Sequence, residues 1–157
     1  MRLAAWLRAR LDRAGPAERG SAVVEFLGIS LLVLVPIVYL IITLGRIEAA
    51  SFAAEGAARD AGRLIADAET MEEGLALAAL AVELAFADQG ITVDGGEALT
   101  VTCAEDPCLS PGAYIHLRVD TTVGLPGAPG FMADALPMEV AIEAEAMTAV
   151  DTYREQP

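Results

Sequence analysis

Few residues in this 157-residue chain have the type and spacing to do chemistry, and they fall in four sets. Cys103 and Cys108 bracket the loop Ala104-Glu105-Asp106-Pro107. The C-x-x-C spacing of redox and zinc motifs is absent and no second ligand pair exists, so the two are read as a small structural disulfide pinning its own loop. His116 is the only histidine. With no Ser or Cys nucleophile pattern around it, it is expected on a solvent face without a catalytic role. Asp94, Glu97, Glu105 and Asp106 lack the dense oxygen-ligand pattern of a calcium loop, and turn chemistry accounts for them. The fourth set is Gly20-Ser21-Ala22-Val23-Val24-Glu25-Phe26, where a glycine and then a carboxylate stand at the mouth of a long apolar run.

Gly20 leaves the backbone free to adopt the extended form that a protease cleft accepts. Glu25 lies at the edge of hydrocarbon, where a carboxylate costs less than the ~2.5–3.5 kcal/mol it costs at a helix centre but still favours a partner. A cut after Gly20 creates a positive α-amine on Ser21, one helical turn from Glu25. The amine of a neighbouring subunit serves equally well and would set the register between subunits. The plainer account makes Glu25 a first-turn acid favoured by the helix dipole.

The element that positions these groups is the run from Phe26 to Gly45, 20 residues without a charge, closed by Arg46. At ~1.5 Å per residue a helix of that length spans about 30 Å, the hydrocarbon thickness of a bilayer. Pro36 lies mid-span, where a kink is tolerated and carries no functional weight. Gly28 and Ser30 fall short of a GxxxG pattern.

Charge orients the span. Residues 1–19 hold Arg2, Arg8, Arg10, Arg13 and Arg19 against Asp12 and Glu18, whereas the chain as a whole carries −13. Basic flanks stay cytoplasmic, which predicts residues 1–20 inside and residues 46–157 outside. The cysteines then lie where a disulfide persists. The acidic outer part excludes nucleic acid as a partner. Leu3, Trp6, Leu7 and Leu11 give the leader roughly helical amphipathic spacing, ended by Gly15-Pro16. A cleaved secretory signal fits less well, because the apolar run exceeds the ~7–15 residues of an h-region and Ile47-Glu48-Ala49-Ala50 is a poor cleavage site.

Beyond the span the helix is expected to continue to Asp67. Ile47, Ala50, Ala54, Ala57, Ala61, Leu64 and Ile65 form an apolar stripe, and Glu55–Arg59 and Arg63–Asp67 are expected to pair. Thr70-Met71-Glu72-Glu73 reads as a capping box opening a second helix, with Leu75, Ala79, Val82 and Phe86 as its core stripe and Gly90 as its terminator. Ile91–Val93, the turn Asp94-Gly95-Gly96 and Leu99–Cys103 read as a hairpin. Tyr114–Val123 alternates, with Ile115, Leu117, Val119, Thr121 and Val123 inward. Met138–Val150 alternates again, with Val140, Ile142 and Ala144 inward. Gly124–Gly130 is an exposed loop. The fold class is therefore α+β: a leader (1–20), a membrane or assembly helix (21–46), and a head (47–157) with a second helix and a small antiparallel sheet of about three strands.

The glycine, the Glu25-Phe26 pair and the apolar helix behind them resemble the prepilin peptidase site of type IV pilins. Among these the chain is most similar to the TadE-like minor pseudopilins of tight-adherence (Flp-type) systems. The resemblance covers residues 18–46 closely and runs more loosely to about residue 65, where Ala57–Arg63 looks like the segment that follows the span in that family. It implies cutting by a membrane aspartyl peptidase between Gly20 and Ser21, which makes Glu25 the fifth mature residue. It also implies partners in the membrane, the peptidase, other pilins and the assembly platform, with no cofactor, small-molecule substrate or enzymatic activity. The major pilins of these systems are much shorter, so the size points to a minor or priming role. The alternatives are an unprocessed, single-pass anchored domain for binding or adhesion and, more remotely, an exported enzyme whose active site the chain does not supply.

Overall fold

The computed structural model describes residues 18–127 and 139–154, and side chains from Ser21 onward. Residues 1–17 of the leader, the last three residues of the Gly124–Gly130 loop (128–130) and Met138 lie outside the described residues. The class is α+β, as the sequence predicts. Helix α1 runs Glu18–Asp67, α2 Met71–Ala87 and α3 Gly95–Ala98; strands β1 (Leu99–Cys103), β2 (Tyr114–Gly124) and β3 (Glu139–Ala149) follow. The chain divides into two compact units between Ile41 and Ile42.

The first unit holds the opening part of α1, and this helix is long and apolar enough to cross a membrane. No residue of its most apolar window is buried. A soluble domain would cover such a surface, so its exposure is compatible with a single-pass membrane anchor. Helical assignment passes through Pro36, whose missing N–H leaves the Leu32 carbonyl without its usual donor.

In the second unit the rest of α1 supplies the core with small side chains. Ala50, Ala54, Ala57, Ala58 and Ala61 are buried, followed by Ile65. The sheet answers with large ones. The inward residues Ile115, Leu117, Val119 and Val123 of β2 and Ile142 and Ala144 of β3 join the same core. Small residues on one element let large ones on the next interdigitate at crystal-like density. A Cβ built on Gly62 would stand 3.1 Å from Leu117 Cδ1 and 3.3 Å from Thr148 Cβ, so α1 lies close against the sheet there.

The sheet is antiparallel in the order β1-β2-β3. Val101 pairs with Leu117, and His116 with Met147. The strict alternation of burial along β2 follows from the two-residue repeat of a strand with one face on the core. His116 lies on the exposed face.

Thr70 caps α2, its hydroxyl accepting from the Glu73 N–H at 3.2 Å. Gly90 ends α2 with φ +66°, a conformation that favours glycine. The Ile91 N–H reaches the Phe86 carbonyl at 3.0 Å, and the Gly90 N–H reaches that of Ala87 at 2.9 Å. Val82 and Phe86 are buried as expected, but the N-terminal half of the stripe differs. Gly74, Ala78, Val82 and Phe86 are buried, while Leu75 is 39% exposed and Ala79 is half-buried. The reason is backbone proximity: a Cβ on Gly74 would sit 3.0 Å from Ile65 Cα. The crossing with α1 therefore requires glycine and rotates the leucines outward.

The expected hairpin at residues 91–103 is also corrected. Only Leu99–Cys103 is a strand, and it pairs with β2. Asp94 Oδ1 accepts from the Gly96 and Glu97 N–H groups at 2.9 and 3.0 Å, so it caps a short helix instead of opening a turn. Gly95 packs against the Ala79 carbonyl, where no side chain fits. Arg63 likewise departs from expectation: it contacts Asp60 at 3.7 Å rather than Asp67. Helical side chains lean toward the N-terminus, which favours the upstream acid. The Glu55–Arg59 pair forms as predicted, at 3.5 Å on the surface.

The core and the outward leucines separate cleanly by mutation. Phe86→Ala is expected to cost about 3–5 kcal/mol, and Leu80→Ala within about 0.5 kcal/mol. Chemical denaturation of the detergent-solubilised chain, followed by far-UV circular dichroism, checks both.

Candidate functional site

Two places gather the residues in question: the entrance of α1, and the corner where α1 ends. At the entrance, Gly20 and Ser21 both fall within α1. Ser21, Glu25 and Phe26 are all exposed. Residues four apart stand on one helical face, so the helix brings Ser21 and Glu25 together while Phe26 and the apolar residues behind it form the surface beyond. The backbone at Gly20–Ser21 is helical. Glu18 and Arg19 already adopt helical geometry, and the first turn is propagated from the strongly apolar run behind it. A protease acting at this bond must unwind that turn, which glycine makes less costly than any residue but proline. The uncharged run continues from Phe26 to Gly45, and Glu25 is its first charge on the N-terminal side.

The second place is built by the disulfide loop and the C-terminal turn. Cys103 and Cys108 are bonded, as the spacing predicts. Their loop contains a cis Asp106–Pro107 peptide. Pro107, Cys108, Leu109 and Ser110 line a cavity of about 460 Å³ with Thr70, Met71 and Arg154. Arg154 donates from Nη1 to the Ala66 carbonyl at 2.8 Å and from Nη2 to the carbonyls of Ala68 and Glu69. The last carbonyls of a helix have no intrahelical donors, and a guanidinium there also meets the negative end of the dipole. Arg154 is thus a long-range C-cap. Sequence reasoning missed it, because nothing in Asp151-Thr152-Tyr153-Arg154 indicates which carbonyls the side chain reaches.

The outer face of the sheet carries a third cluster. Arg118 reaches Asp120 at 2.8 Å, Glu143 at 2.9 Å and Glu145 at 3.4 Å. The hydrogen bond from Nε to Asp120 raises the guanidinium further above its ordinary pKa, helped by the two glutamates and opposed by slight desolvation. The guanidinium keeps its charge and its three carboxylates are exposed, so the cluster organises a surface. Alternation had put Arg118, Glu143 and Glu145 on the outer face, but only the register sets Arg118 opposite Glu145.

Among the described residues no group of three His, Cys, Asp or Glu is placed to hold a metal ion. The Asp94 carboxylate is used in capping α3, where the Glu97 backbone N–H donates to it. None of the described polar or charged residues is buried. No family model, curated protein or solved structure matches this chain. The functional reading therefore rests on the entrance of α1 and on the surfaces of the second unit.

Arg154→Ala leaves three carbonyls without their charged donor and is expected to cost about 1–3 kcal/mol. Arg154→Lys recovers only part of it, since an ammonium lacks the planar fork. Cys108→Ser removes a link of sequence separation 5 and is expected to cost about 2 kcal/mol. Denaturation midpoints in detergent, with and without reductant, measure these effects.

Proposed function

We propose that this chain is a pilin-like membrane subunit of the TadE type, a structural protein with no enzymatic activity of its own. Residues 1–20 stay on the cytoplasmic side, and prepilin peptidase cuts between Gly20 and Ser21. The apolar part of α1 then joins, or primes, a tight-adherence pilus or a related secretion apparatus. The observation that carries this reading is the entrance of α1. A glycine, a carboxylate on the same helical face as the nascent amine, and an exposed uncharged run follow one another in a single helix.

In this reading Glu25 neutralises an α-amine, its own or a neighbour's. A charge pair held at the edge of hydrocarbon is worth more than one in water, because the local dielectric is lower. Extraction of α1 from lipid into a filament covers the exposed run with like helices. The alanine-lined continuation of α1 holds the folded domain to that helix. The helical backbone at Gly20–Ser21 favours a second reading, an unprocessed single-pass anchor carrying an extracytoplasmic domain for binding or adhesion.

The N-terminus and intact mass of membrane-extracted protein distinguish the two. Peptidase-dependent appearance of a chain starting at Ser21 is expected, and Gly20→Leu abolishes it. Glu25→Ala leaves the protein in the membrane but lowers the yield of cross-linked multi-subunit species at least ten-fold. A chain that keeps its leader in the presence of active peptidase overturns the processing reading and leaves the anchor.

A further inference from the structure

The surface that the proposed function leaves unused is the outer face of α2. Leu77, Leu80 and Leu84 are 40%, 50% and 56% exposed. Spaced by three and four residues, they form one row on the helix, opposite the buried row Gly74, Ala78, Val82 and Phe86. Single exposed leucines are ordinary, but a contiguous row of three marks a contact surface. Membrane insertion of α1 does not explain it, since these leucines lie in the other compact unit.

The ends of the row define its occupant. Glu73 continues the row at its N-terminal end and Asp88 at its C-terminal end, each four residues from the nearest leucine and both exposed. Glu72 and Glu83 flank it, and α2 contains no Lys or Arg. A second copy packed antiparallel would set Glu73 against Asp88 twice. Packed parallel, it would oppose each acid to itself. Either arrangement places like charges at both ends of the contact. A lipid surface fits no better, because interfacial helices carry Lys and Arg on their polar rim.

We propose that the Leu77–Leu80–Leu84 row docks a helix of a different protein, one whose apolar stripe is bounded at both ends by Lys or Arg. The leucines fill the grooves of that helix, and the carboxylates fix its register while excluding a second copy of this chain. This inference stands on α2 alone and holds whether or not Gly20 is a cleavage point.

The test places the photo-cross-linker benzoylphenylalanine at position 80 of the full chain, in the cells that make it, and sequences the cross-linked peptide by mass spectrometry. The expected adduct joins α2 to another protein, at a peptide with an apolar stripe flanked by Lys or Arg. Leu84→Glu in the same chain lowers the adduct at least ten-fold, as does the uncharged Leu84→Gln, while circular dichroism of both purified variants stays unchanged. An adduct to this same sequence, to phospholipid or to a peptide without basic flanks overturns the proposal. So does the absence of any adduct, or a yield that neither variant lowers.

Discussion

The second unit depends on how closely the sheet approaches α1. Alanine occupies almost every inward position of that helix from Ala50 to Ala61, and Gly62 continues the seam where Leu117 and Thr148 come nearest. A helix lined with leucine would hold the sheet farther off, and Ile115, Leu117 and Val119 would then face a gap. Alanine loses almost no side-chain entropy on burial. The seam is thus inexpensive to order, and its large buried side chains come from the strands and from Phe86. The same spacing decides the rest of the packing. With α1 close to the sheet, α2 must cross near Ile65, and that crossing admits only glycine at position 74.

One helix carries two solvents in its sequence. From Phe26 to Gly45 its side chains are mostly branched and apolar on all sides, and nearly all of them are exposed. Beyond Arg46 they divide into an alanine face and a face bearing Glu55, Arg59, Asp60 and Arg63. An all-round apolar helix needs lipid or other apolar helices about it, whereas a two-faced helix needs a core on one side only. Arg46 marks the change, and its Nε donates to the Gly124 carbonyl at 3.2 Å, tying this point to the end of β2.

Much of this was legible in the sequence because it depends on period and type. The uncharged run, the alternation in β2 and β3, the Thr70 cap and the Gly90 stop each follow from a local rule, and each is present. What escaped depends on distances between segments far apart in the chain. The N-terminal half of the inward face of α2 was misassigned because leucine outranks glycine in any apolar count, yet only glycine fits against Ile65. The residues before β1 read as a hairpin because Asp-Gly-Gly serves a turn and a helix cap equally well, and a neighbour's backbone, that of Ala79, settles the choice. At the entrance of α1 the helix starts at Glu18, ahead of Ser21, because the first turn is propagated back from the apolar run behind it.

The Arg154 clamp has a consequence for the order in which the protein is made. The carbonyls it caps, at Ala66, Ala68 and Glu69, precede it by 88, 86 and 85 residues. During synthesis the α1 segment emerges first, and its C-terminal end has only water to satisfy it until both long strands have followed. The domain is then fastened at its oldest helix by one of its youngest side chains. A chain interrupted between the end of β3 and Arg154 keeps its three strands but lacks the fastening, and that frayed corner is where local opening of the unfinished molecule begins.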